Sequence, residues 1–182
     1  MSVLSRLPQY LQLPKTPEYL LQAQRLFHGR GHAYPGLQHV TIDWLPPVLL
    51  ITLYAPEPQA GIESLADYLL SQFADCKSIQ LQHRYQLSGP IDIIRGDSIT
   101  HLAIQEDNLH FNISLGQSRN TGLFLDMRNG RRWVQTHSQD KRVLNLFAYT
   151  CGFSVATVAG NARSVLNVDM SSPALNIGRE NH

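Results

Sequence analysis

Two short segments carry residues whose types and spacing suit a nucleoside ligand. The first is Asn145-Leu146-Phe147-Ala148-Tyr149-Thr150-Cys151-Gly152, where an apolar run gives way to small and polar residues. Such a loop lets backbone N–H groups approach a ligand, and a helix opening just after it adds a favourable dipole. The second is Asp169, 24 positions after Asn145. A carboxylate there can accept hydrogen bonds from both ribose hydroxyls. A dinucleotide would want Gly-x-Gly-x-x-Gly against its pyrophosphate, and this loop holds Gly152 alone. S-adenosylmethionine carries no phosphate. It needs room for a methionine tail, polar contacts for its amino and carboxylate groups, and an acid for the ribose. The pattern favours it over a nicotinamide cofactor or an α/β domain with no ligand.

These residues must be held by a strand, a loop, a helix, a second strand and a second helix. Arg142 to Phe147 is a short apolar run after polar residues, typical of a parallel strand buried on both faces. Phe153 to Ala159 is helix-compatible, and Gly160 and Asn161 stop it. Ser164 to Val168 predicts a second buried strand, followed by a helix with Ser172 as N-cap and Pro173 in its first turn. This is the first half of a Rossmann-type unit.

The region before it reads differently. Thr16-Pro17-Glu18 followed by Tyr19, Leu20, Ala23, Leu26 and Phe27 predicts a helix stopped at Gly29. Val40 to Trp44 and Val48 to Tyr54 predict a β-hairpin with a proline-marked loop. Ile62, Leu65, Ala66, Leu69, Leu70 and Phe73 form the stripe of a helix over 61–73. Ser78 to Tyr85 and Ile91 to Ile94 are strand candidates, the first with Gln80, Gln82 and Arg84 on its polar face. Ile99 to Gln105 and Leu109 to Leu115 flank the turn cluster Glu106-Asp107-Asn108, a second hairpin. Residues 116–132 read as loop. The expected class is α/β: an N-terminal α+β domain (1–95), a β-hairpin connector (96–118) and a partial Rossmann-like domain (119–182).

Composition narrows the rest. In 182 residues, Lys plus Arg is 15 and Asp plus Glu is 14, a net charge of +1. That excludes a histone-like polycation, so any nucleic-acid contact must come from a local patch. Arg119, Arg128, Arg131, Arg132, Lys141 and Arg142, with Trp133 among them, form one such stretch, which suits an RNA backbone or simply a solvated helix face. Cys76 and Cys151 are too few for a disulfide framework or a thiolate zinc site, and the eight histidines scatter, so no metal is expected. No signal peptide or membrane span is legible, and a cytoplasmic setting is expected.

The segments 120–128, 143–150, 167–171 and 178–182, in this order and spacing, resemble class I S-adenosylmethionine-dependent methyltransferases related to the large-subunit ribosomal RNA enzymes, both cytosine-C5 and guanine-N7 branches. The resemblance is strong over about residues 115–182. It implies that Asn145, Phe147, Ala148, Tyr149, Thr150, Cys151 and Gly152 form the first cofactor motif, that Asp169 holds the ribose with Met170 on the adenine and Ser171 beside it, and that Phe124, Asp126 and Arg128 belong to a loop folding over the site. It also implies a ribosomal RNA partner, with the N-terminal domain (1–95) as the RNA-facing part. Cys151 stands where many relatives carry glycine.

Blander readings remain open for the same residues. Asp126 and Arg128 could pair with each other, Asp169 could cap the helix at Pro173, and Phe124, Phe147 and Phe153 could be core. The family's Asp-Pro-Pro motif, which faces the base, is absent, since no Asp-Pro pair occurs. No catalytic residue is therefore assigned. The sequence predicts a methyltransferase cut after its second Rossmann strand and inactive alone. The alternative is a noncatalytic RNA-binding module with a vestigial Rossmann tail.

Overall fold

The apolar runs Val40–Leu45 (β2) and Val48–Leu53 (β3) pair as an antiparallel hairpin in register from Val40↔Leu53 to Leu45↔Val48. Around them a computed structural model, which describes residues 2–182, builds a five-stranded sheet in the order β1-β2-β3-β4-β5. The helix α2 (Gln59–Gln72) carries the chain from β3 to β4 (Ser78–His83), which is parallel to β3, and β5 (Ile91–Gly96) returns antiparallel. A core of Leu26, Ile42, Trp44, Leu49, Ile51, Leu53, Leu65, Leu69, Phe73 and Leu81 fills one side of this sheet. Trp44 and Phe73 stack with centroids 4.7 Å apart, and the Trp44 indole donates to the Leu20 carbonyl at 2.7 Å.

Three expectations change here. The helix expected to run to Gly29 is one turn, α1 (Pro17–Leu20), and Gln24–His28 is strand β1. A register shift between Arg25 and Phe27 puts consecutive residues Leu26 and Phe27 inside, as a β-bulge does. Apolar neighbours in a bulged strand mimic helical spacing. The expected polar face of β4 is also buried. Gln80 donates to the Ile99 carbonyl at 2.7 Å and Gln82 to the Arg119 carbonyl at 3.1 Å, so both buried amides bond backbone carbonyls rather than solvent.

Gly29 closes the loop between β1 and β2. A Cβ at this position would lie 1.8 Å from the Leu37 carbonyl oxygen and 2.9 Å from that of Val40. Backbone cannot yield as a side-chain tip can. Gly29→Ala is expected to lower stability by about 2–3 kcal/mol, read as a fall in Tm of the purified chain.

The chain divides into two compact units, residues up to 100 with 115–119, and 101–114 with 120–182. In the second, β6 (His101–Glu106) and β7 (Leu109–Ser114) form a hairpin that buries Leu102, Ile104, Leu109, Phe111 and Ile113 on one face. Then come α3 (Arg128–His137), β8 (Arg142–Leu146), α4 (Gly152–Ala159), β9 (Ser164–Val168) and α5 (Ser172–Glu180). β8 and β9 are parallel, in register from Arg142↔Ser164 to Leu146↔Val168. The expected burial on both faces is not found. Val143, Asn145, Val165 and Asn167 are half-buried, with both asparagines bonded near Ser154 of α4, whereas Leu144, Leu146, Leu166 and Val168 are exposed. Among the described residues nothing covers that second face.

The other correction is α3, whose first half, 128–132, falls in the segment expected to be loop. Its sequence is polar apart from Trp133 and Val134, so no apolar stripe announces it. Its buried side chain is Arg131. No described helix is long and apolar enough to cross a membrane.

Candidate cofactor site

The loop between β8 and α4 carries three left-handed, non-glycine residues at alternate positions: Phe147 (φ 54), Tyr149 (φ 50) and Cys151 (φ 60). Each costs on the order of 1 kcal/mol, and backbone held this way is characteristic of functional sites. The loop thus adopts the conformations a glycine-rich loop would, without the glycines. Cys151 takes a glycine-favouring φ where relatives are expected to have glycine. Its thiol is pushed up by burial, with the Asp169 charge adding to the effect, so it is no activated nucleophile.

Asp169 follows β9 directly and faces that loop. Its carboxylate accepts from the Tyr149 N–H at 2.8 Å with one oxygen and from the Ser171 N–H at 2.8 Å with the other. These bonds, Ser171 first, hold the carboxyl below the usual range. Each oxygen keeps a further lone pair for an incoming hydroxyl. Asp169 does reach the start of α5, through Ser171. The N-cap of α5 is Ser171, not Ser172: its Oγ accepts from the Ala174 N–H at 3.3 Å.

The remaining candidates fall into three groups. Asn145 and Thr150 turn inward. The Asn145 amide donates to Ser154 Oγ at 2.8 Å and to Asn167 Oδ1 at 3.0 Å, and the Thr150 hydroxyl donates to the Gly122 carbonyl. Ala148 anchors the loop by its N–H to the Val168 carbonyl at 3.1 Å, and Gly152 begins α4. Phe147 and Met170 face outward, 89% and 99% exposed. Phe124 is half-exposed, with its ring 5.6 Å from that of Tyr149, so the preceding loop and the motif loop do meet. The reading of Phe124 and Phe147 as core side chains is therefore corrected.

Asp126 and Arg128 do not pair with each other. Arg128 donates to Asp107 at 2.7 Å, and Arg132 binds the same carboxylate twice at 2.7 Å. Arg131 meets Glu106 through two bonds of 2.6 and 2.7 Å, and its second Nη also reaches the Phe124 carbonyl at 3.0 Å. Three cations of the basic stretch, read as an RNA contact or a solvated helix face, thus hold α3 to the β6–β7 turn. Arg119 lies in the other unit, with its guanidinium on the Arg84 carbonyl. Sequence reasoning missed the Glu106–Arg131 pair. The available signal was an acidic turn, Glu106-Asp107, 21 residues before a run of arginines.

Arg132 first, then Arg128, holds the Asp107 carboxyl far below the usual carboxylate range, against an opposing cost of burial. A depressed folded pKa stabilises above the unfolded value and is lost as pH falls towards the folded one. Asp107→Asn is expected to cost about 1 kcal/mol at neutral pH, discounted for partial exposure. Thermal melts should show the gap to wild type closing below about pH 4.

Comparison with known proteins agrees with this geometry. A family model described as S-adenosylmethionine-dependent methyltransferase matches residues 24–182. "Ribosomal RNA large subunit methyltransferase I" of Aeromonas salmonicida is 28% identical over 167 residues, and that of Erwinia tasmaniensis 29% over 167 residues. Each alignment covers 88% of this chain and 41% of the relative, so the chain spans about two-fifths of the length of the curated relatives it matches. The structure of SMU.776 in complex with SAH aligns over 89% of this chain and 42% of its own, with 25% identity and a TM-score of 0.77. The loop after β8, the acid after β9 and the matched span lead to one assignment: this chain belongs to the S-adenosylmethionine-dependent methyltransferase family.

Proposed function

We propose that this chain supplies the cofactor-binding half of an S-adenosylmethionine-dependent methyltransferase acting on ribosomal RNA bases in the cytoplasm. The observation that carries the reading is Asp169, whose carboxylate is oriented by the Tyr149 and Ser171 N–H groups at the mouth of a strained loop. It would hold the ribose. Met170 and Phe147 offer exposed apolar surface for the adenine. Tyr149, with Phe124 against it, would border the methionine tail, and Thr150 and Asn145 would keep the loop in shape from inside. Asp126, exposed beside that edge, remains a candidate for the cofactor's amino group. Arg128 acts at one remove, because Asp107 already holds it.

When bound, the cofactor supplies a methyl group on a sulfonium, already electrophilic. The chain's contribution is to fix that group in line with a nucleophile. The RNA substrate is supported by the names of the relatives, and the branch of target base stays with those relatives. Calorimetry on this chain should show S-adenosylhomocysteine binding and no NAD binding. NAD binding without S-adenosylhomocysteine binding would reverse the assignment of cofactor. RNA binding with neither would favour the noncatalytic RNA-binding module.

A further inference from the structure

The N-terminal unit carries an open recess of about 380 Å³ lined by Arg30, His32, Gln38, His39 and Tyr54. It sits where the loop between β1 and β2 returns to the sheet. The Arg30 guanidinium lies 3.9 Å from the Tyr54 ring centroid. Stacking of this kind holds the cation in place and leaves its five N–H donors unspent. Among the described residues Arg30, His32 and Gln38 have no side-chain hydrogen bond to the protein.

The rest of the recess is fixed from behind. His39 Nε2 bonds Glu57 at 2.8 Å, and the other Glu57 oxygen accepts from Ser2 Oγ at 2.9 Å. That carboxylate is occupied and half-buried, and none of the lining residues is acidic. A second guanidinium stands on the same loop, where Arg6 donates to the Pro35 carbonyl at 3.1 Å. Gly29 packs tightly on the Leu37 and Val40 backbone at the loop's root, next to Arg30.

Unspent donors, a clamped guanidinium and no lining carboxylate make a site for a phosphate group. The geometry points to a phosphodiester of the RNA substrate, gripped by Arg30 with His32 and Gln38 in the first unit. The recess is open, which suits a continuing backbone better than one enclosed anion. This inference rests on the RNA reading above. It gives the first unit, which the resemblance implies to be RNA-facing, a defined phosphate contact, whereas Arg128, Arg131 and Arg132 of α3 are paired.

Fluorescence anisotropy of a labelled large-subunit ribosomal RNA fragment, titrated with the whole chain over a stepped KCl series, tests it. Arg30→Gln should weaken binding about tenfold. It should also make the slope of log K against log salt shallower by about 0.7–0.9, one phosphate contact. Tyr54→Leu should weaken binding less, by releasing the guanidinium. Both variants should keep wild-type Tm, which shows that they are folded, and wild-type affinity for S-adenosylhomocysteine. Equal affinity and slope for wild type and Arg30→Gln would overturn the inference and leave the RNA reading standing. No RNA binding by wild type that still binds S-adenosylhomocysteine would overturn the RNA reading and the recess with it. Inorganic phosphate displacing the RNA at equal phosphate concentration would identify a free-anion site instead.

Discussion

Replacing Arg131 with methionine is expected to lower the stability of the second unit by about 3–5 kcal/mol. For a chain of this size that is a fall in Tm of roughly 6–20 °C. The reason is the burial of the partner. Arg131 and Glu106 are 3% and 2% exposed, and the Glu106 carboxylate takes both of its charged bonds from that guanidinium. Removing the cation leaves a buried anion with nothing to balance it. A pair replaced on both sides behaves differently, because the desolvation cost goes with it. Arg131→Met combined with Glu106→Leu should therefore recover most of the lost stability. The single change should also loosen the cofactor site, since Arg131 holds the Phe124 carbonyl and Phe124 packs on Tyr149. Thermal melts of the singles and the double, with S-adenosylhomocysteine titrations on each, make a complete cycle. A single-variant loss below 1 kcal/mol would show that water reaches Glu106 and that the pair is not the anchor described.

That pair also marks where the sequence stopped being legible. Periodicity finds helices whose buried face is apolar. α3 buries an arginine instead, and its three ion pairs to Glu106 and Asp107 join residues more than twenty positions apart. Counting charge gave a basic stretch facing solvent, and geometry gives a clamp. The strand β1 failed for another reason, because its bulge placed Leu26 and Phe27 inside together.

The cofactor loop was far more legible. β8, the small-residue loop, α4, β9 and the acid after it follow the chain in order, and each has a local signature. Asp169 lies where its distance from Asn145 suggested. Its bond from the Tyr149 N–H was not legible, nor was the inward turn of Asn145, because both depend on the pairing of β8 with β9 that sets Asn145 beside Asn167. The exposed faces of Leu144, Leu146, Leu166 and Val168 carry the same limit. A run of apolar residues states a wish for burial on both sides, and only the packing of neighbouring layers decides whether it is met.

Asp169→Ala should then abolish measurable S-adenosylhomocysteine binding, with an affinity loss of about 100-fold or more. Two effects add. The ribose loses its charged acceptor, and the Tyr149 and Ser171 N–H groups lose the carboxylate that orients the strained loop. Asp169→Asn separates them. An amide offers one acceptor oxygen in place of two, so it can satisfy one of the two N–H groups and must point its own donors at the other. It should bind more weakly than wild type by about tenfold and more tightly than the alanine variant. The pH dependence provides an independent check. Because the carboxyl is held below its usual range, it stays ionised from neutrality down into mild acid. Affinity should therefore be flat across neutral pH and decline only as the pH falls through and below the ordinary carboxylate range. Affinity that declines already near neutral pH would point to a histidine as the controlling group. Wild-type affinity in Asp169→Asn would mean that the acid organises the loop without touching the ribose.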